Sequence, residues 1–147
     1  MTVSEENARF WDELCGTGLA RSLGIVELTP ESLALFDRAY FDLYPYLRPL
    51  IDRAGVKDSN VLEIGLGFGS VGQYIAKQSN SYHAVDIAES PVALMRQRLI
   101  FQGLPGAQVQ RGSALDLPYP DGAFDTVVSS DSLVDGIPGS PVPRVSR

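Results

Sequence analysis

Residues 61–70, Val-Leu-Glu-Ile-Gly-Leu-Gly-Phe-Gly-Ser, constrain this chain more than any other stretch. An apolar run carrying one carboxylate, Glu63, breaks into a turn with glycine at 65, 67 and 69. A short apolar run bounded by turn residues reads as a buried strand. The glycines supply the backbone angles of a tight loop that opens a helix, and they leave no Cβ to obstruct a ligand lying against it. Nucleotide-type cofactors are held in this way at the carboxyl ends of parallel strands. The expectation is a cofactor-binding domain.

The surrounding pattern agrees. Strands are predicted at Val61–Ile64, Tyr82–Asp86, Gln108–Arg111 and Phe124–Ser129. Between them lie helices over Val71–Gln78 and from Ser90-Pro91 to Gln102, the latter closed by Gly103. Strands and helices alternating at this spacing imply parallel pairing through right-handed crossovers. The fold class is therefore α/β, a Rossmann-like doubly wound parallel sheet that is incomplete at four legible strands and is preceded by N-terminal helices. Residues 2–15 read as a short helix with Thr2 and Glu5 as a capping box, and 16–28 as a loop rich in glycine. Thr29-Pro30 signals the start of an amphipathic helix that Pro45 or Pro49 interrupts, and a further helical piece follows over 46–54. Three regions result: 1–55 as an N-terminal helical lid, 56–135 as the cofactor-binding core, and 136–147 as a disordered tail rich in proline and glycine.

Composition excludes several functions. At 147 residues the chain is one domain, and no apolar run approaches the ~20 residues that span a bilayer. One histidine and one cysteine make a protein-built zinc site untenable, and Cys15 reads as a packed thiol. His83, alone near the start of a strand, reads as structural. A net charge of −6 without a basic cluster argues against nucleic acid and for a small-molecule partner. The polar, acidic start has no secretory character, and with a single cysteine a cytoplasmic protein is expected.

The glycine turn alone leaves the ligand open. Gly67-Phe-Gly69-Ser-Val-Gly72 also satisfies the dinucleotide pattern, and Asp86, ending the second strand, can accept from ribose hydroxyls of either ligand class. Glu63 suits a cation better than a pyrophosphate. The segment 112–121 follows the third strand, where it can lie over an adenine ring, and Phe124-Asp125-Thr126-Val127-Val128 follows almost at once, giving LPYPDGAFDTVVSS.

Together, ExGxGxG, an acidic residue ending the next strand and LPxPDxxFDxVxS resemble the class I S-adenosylmethionine-dependent methyltransferases. The likeness is greatest to the subgroup of ubiquinone- and menaquinone-biosynthesis methyltransferases and spans about residues 58–131. The resemblance implies that Gly65, Gly67 and Gly69 admit the ribose and methionine portions of S-adenosylmethionine. It also implies that Glu63 orients the methionyl amino group, directly or through water, and that Asp86 holds the ribose hydroxyls. Ile87 would pack on adenine, with Ser113 and Ala114 beside it; the family usually carries an acidic residue at the position of Ser113. Asp125 would support the fourth strand, and Ser129–Asp131 would face the methyl-transfer site. Methyl transfer from a sulfonium needs alignment more than a base, so no catalytic residue is assigned. Trp11, Tyr40 and Tyr44 read as core or lid packing, Asp116 and Asp121 as turn residues. Complete family members continue with further strands, so the abrupt change after Asp131 suggests a truncated product whose open sheet edge invites self-association. A non-catalytic interaction module and a fragment of a nicotinamide-dependent oxidoreductase remain as alternatives.

Overall fold

The computed structural model describes residues 18–104 and 106–129. The expected helix over 2–15, Trp11, Cys15, Asp131 and the tail over 136–147 lie outside the described residues. The element order is α1 (Gly18–Ser22), α2 (Pro30–Leu43), α3 (Leu47–Arg53), β1 (Asn60–Ile64), α4 (Ser70–Ala76), β2 (Ser81–Asp86), α5 (Glu89–Gln102), β3 (Gln108–Arg111) and β4 (Thr126–Ser129).

All strand pairs are parallel, in the order β3-β2-β1-β4. Strand order reverses at β1, which leaves a crevice at the carboxyl ends of the strands where open α/β sheets bind ligands. Register sorts the side chains. Val61 pairs with Tyr82, while Glu63 pairs with Ala84 on one side and Val128 on the other. Because strand side chains alternate between faces, Val61, Glu63, Tyr82, Ala84, Val109 and Val128 share one face. Their apolar members form the main core with Phe41, Leu47, Ile51, Ile75, Val92 and Met95 from α2, α3, α4 and α5. Among the described residues, the opposite face carries the connection between β3 and β4. There His83 meets Tyr119 and Phe124 edge-on at 5.6 and 5.3 Å, which gives it the structural role expected of it.

The N-terminal helices are part of the packed body. Phe41 of α2 belongs to the main core, and Phe36 and Leu33 of α2 form a second cluster with Ala20, Ile25 and Leu94. Tyr40 and Tyr44 pack on the main core, as the sequence suggested. Thr29 caps α2: its Oγ1 accepts from the Ser32 amide at 3.0 Å, and the Ser32 hydroxyl accepts from the Thr29 amide at 2.9 Å. Thr29→Ala, which removes one half of this reciprocal cap, is expected to cost about 1 kcal/mol in a denaturant titration.

Two local expectations need correction. The stretch 16–28 is not wholly irregular, since α1 occupies Gly18–Ser22 and buries Ala20. Helix α5 starts at Glu89, with Ala88 as its N-cap residue, and not at the Ser90-Pro91 pair. The Asp86 carboxylate accepts from the Ala88 amide at 2.8 Å, which brings the helix start forward. Asp125 does what was expected of it: its Oδ2 accepts from the Asn60 amide at 2.8 Å and its own amide donates to the Asn60 carbonyl, pinning β4 to β1.

Candidate cofactor site

The carboxyl ends of β1 and β2 bring the glycine turn and Asp86 together. Gly65, Gly67 and Gly69 have φ of 79°, 52° and 85°, all in the left-handed region that side-chain-bearing residues avoid. The Gly65 amide donates to the Val85 carbonyl at 2.9 Å, joining the turn to β2. One residue on, the Leu66 amide donates to Asp86 Oδ2 at 2.8 Å. With Oδ1 taken by the Ala88 amide, both oxygens of Asp86 are held by backbone, and each keeps a second lone pair. Two neutral donors thus fix the carboxylate's direction without consuming its capacity to accept.

Beside it, Ile87 is 70% exposed, an apolar surface at the mouth of the crevice. The third strand closes the same corner. The Gly112 amide donates to the Asp86 carbonyl at 2.9 Å, and Arg111 Nε donates to the Ile87 carbonyl at 2.9 Å. Ser113 Oγ accepts from the Leu115 amide at 3.1 Å, so the hydroxyl shapes its own loop. Ala114 is exposed next to it. A Cβ built on Gly67 would meet nothing within 4 Å, so the space over that part of the turn is open. A carboxylate that can still accept, an exposed aliphatic side chain and an open glycine turn suit a nucleoside ligand.

Glu63 is placed differently from the others. It is 0% exposed, and its Oε1 accepts from the Tyr82 hydroxyl at 2.5 Å. Its strand position, two residues below the turn, points the side chain into the face covered by α4 and α5. In this arrangement the carboxylate is turned toward Tyr82, below the turn. Gly72 permits the burial, because a Cβ there would lie 2.5 Å from both Glu63 Oε1 and the Tyr82 oxygen. Burial first, and then the Glu63 carboxylate, push the Tyr82 phenol well above its ordinary pKa of 10.0, with Arg98 opposing. The folded state therefore holds this proton more tightly than the unfolded chain. That contribution to stability is fully present below pH 10.0 and falls away as pH rises above it. Tyr82→Phe is expected to lose about 1–3 kcal/mol at neutral pH, because a buried acceptor loses its donor. Its stability should also decline less steeply above pH 10.0 than the wild type's, which denaturant titrations on both sides of that pH would show.

Sequence reasoning missed the support beneath the turn. Arg98 of α5 is 0% exposed, and its Nε donates to the Phe68 carbonyl at 2.8 Å. Its other nitrogens reach Asp37 of α2 at 2.8 and 3.0 Å and Gln73 Oε1 at 2.7 Å. Arg96 and Arg98 lie two apart on α5 and do not share a face. Arg96 instead lies at the surface and donates to the Val109 carbonyl at 2.8 and 3.1 Å.

Among the described residues no group of three or more His, Cys, Asp or Glu is placed to hold a metal, and no helix is long and apolar enough to cross a membrane.

Comparison with known proteins gives the site its context. Ajmaline N-methyltransferase of Rauvolfia serpentina is 36% identical over 75 residues, 50% of this chain and 26% of that protein. A phthiotriol/phenolphthiotriol dimycocerosates methyltransferase of Mycobacterium tuberculosis is 30% identical over 98 residues, 65% of this chain and 34% of that protein. The chain thus spans about a third or less of the length of these curated relatives. In three dimensions, a SAM-dependent methyltransferase from Aquifex aeolicus superposes with a TM-score of 0.56 at 21% identity, covering 70% of this chain and 57% of that one; it shares the Rossmann-like fold. Residues 61–144, more than half of the chain, match the family described as the methyltransferase domain, a span that runs beyond the motif resemblance ending near 131. The chain belongs to the methyltransferase-domain family.

Proposed function

We propose that this chain binds S-adenosylmethionine along the glycine turn and serves methyl transfer to a small-molecule acceptor. The observation that carries the reading is the junction of turn and strand: the Leu66 amide bonded to the Asp86 carboxylate at the switch point of a methyltransferase-family sheet. In this reading the remaining lone pairs of Asp86 accept from the two ribose hydroxyls. Ile87 supplies the apolar surface under the adenine, and Ser113 with Ala114 closes its edge. Gly65, Gly67 and Gly69 let the backbone approach the ribose and methionine portions. A carboxylate in the place of Ser113 would accept more strongly than its hydroxyl does, so the adenine contact is the weaker part of the site.

Glu63 contributes from beneath. By bonding Tyr82 it fixes the end of β1 relative to β2, and so fixes where the turn begins. When bound, S-adenosylmethionine supplies an activated methyl group on its sulfonium, and the protein's task is to align it and exclude water. No general base is assigned to this chain. An acceptor of the quinone-precursor type is the finer reading, resting on the LPYPDGAFDTVVSS segment, and a cytoplasmic setting accords with the single cysteine.

Titration calorimetry on the 147-residue chain with S-adenosylmethionine, S-adenosylhomocysteine and NAD tests the proposal. Saturable heats with the first two and none with NAD are expected. Binding of NAD alone would restore the oxidoreductase alternative and remove this one.

A further inference from the structure

The glycine turn is held from behind by a buried ion pair that reaches the N-terminal helices. A turn with three left-handed glycines in five residues has little intrinsic preference for one shape, because glycine loses the most conformational freedom on folding. The peptide unit joining Phe68 and Gly69 is nevertheless bonded at both ends. Its carbonyl accepts from Arg98 Nε at 2.8 Å, and its amide donates to the Leu66 carbonyl at 3.0 Å. Arg98 in turn is fixed by Asp37, which also accepts from the Ser70 hydroxyl at 2.6 Å. At the adjacent position on α2, the Phe36 ring meets the Phe68 ring edge-on at 6.0 Å. The fit leaves no slack: a Cβ on Gly69 would lie 2.8 Å from both Cδ and Nε of Arg98.

We propose that Arg98, oriented by Asp37, is a positioning residue for cofactor binding: it sets the Phe68 carbonyl and thereby locks the glycine turn to α2. The N-terminal helix then acts as a fixed buttress of the turn and not only as a cover over substrate. A guanidinium is suited to this, since its planar fork engages a carboxylate at two points while Nε remains for the carbonyl; a lysine ammonium has no such geometry. The consequence for affinity rests on the cofactor reading above, whereas the consequence for the turn's own order does not.

The test uses the full chain. Breaking a buried ion pair by removing one partner threatens the fold, but replacing both by apolar residues of similar volume is commonly neutral. In Arg98→Met/Asp37→Leu the unfolding midpoint should stay near that of the wild type. Affinity for S-adenosylhomocysteine should fall at least about tenfold, and amide exchange over 67–70 in the ligand-free protein should quicken by about the same factor. Arg98→Lys should not rescue affinity, while Gln73→Leu, which leaves the bond to Phe68, should change it less than about twofold. A folded double variant with wild-type affinity and wild-type exchange at the turn would overturn the proposal. Should the double variant not fold, exchange in Asp37→Asn decides: unchanged protection at 67–70 overturns it. If the wild-type chain does not bind S-adenosylhomocysteine, the cofactor reading fails, and the exchange comparison still judges Arg98 on its own.

Discussion

Gly72→Ala is expected to destabilise the protein by about 2–4 kcal/mol, although alanine is the better helix former by about 1 kcal/mol. Gly72 lies inside α4, where a Cβ would sit 2.5 Å from Glu63 Oε1 and 2.5 Å from the Tyr82 oxygen. Both oxygens end buried side chains, so they move aside only by giving up their hydrogen bond or disturbing their neighbours. Glu63 is on a central strand paired on both sides, and Tyr82 is buried on the next. The methyl group must therefore break their hydrogen bond, displace β1 or push α4 off the sheet. Overpacking alone costs about 1–3 kcal/mol, and a buried oxygen stripped of its donor adds a comparable amount. Against a total stability of about 5–15 kcal/mol, that loss is large. Denaturant titration measures it directly. A neutral or stabilising result would mean that the Glu63–Tyr82 contact is not held as tightly as described.

The second large effect falls on binding. Asp86→Ala should weaken S-adenosylhomocysteine binding on the order of a hundredfold or more, since hydrogen bonds to a charged acceptor contribute about 1.5–3 kcal/mol each and two ribose hydroxyls lose theirs. The same change frees the Leu66 and Ala88 amides, so the turn and the start of α5 lose an anchor as well. Asp86→Asn separates these roles. It keeps the shape and one acceptor but removes the charge, and it should bind better than the alanine variant while remaining weaker than wild type. Calorimetry on the three proteins would show the order. Affinity of Asp86→Ala within a few-fold of wild type would remove Asp86 from the proposed ribose site.

How much of this was legible beforehand depended on distance along the chain. The turn, Asp86 and the strands around them are set by local pattern: an apolar run, glycine spacing and an acidic residue at a strand end. Those features were read, with β3 bounded at Gln108–Arg111 as expected. Boundaries slipped where a side chain from outside an element decides its start, as Asp86 does for α5. Helix α1 was missed because glycines at 16, 18 and 24 outweigh five residues of helical character, and its only buried side chain is Ala20.

The orientation of Glu63 needed more than local pattern. Alternation places it on the face of Val61, but only the register between β1 and β2 brings Tyr82 next to it, and only a glycine at 72 leaves room. Arg98 was less accessible still. Its partner Asp37 is 61 residues away on another helix, and its bond to Phe68 is to a carbonyl, which no residue type announces.

The central claim is that the turn at 65–69, with Asp86 and the loop at 112–114, is a site for S-adenosylmethionine. Amide chemical shifts of the 147-residue chain, followed while S-adenosylhomocysteine is added, test it residue by residue. The account predicts that the largest saturable changes fall on Gly65, Gly67, Gly69, Asp86, Ile87, Ser113 and Ala114, with little at the Tyr119–Phe124 face. Saturable changes confined elsewhere, or none at a ligand concentration in the millimolar range, would contradict it.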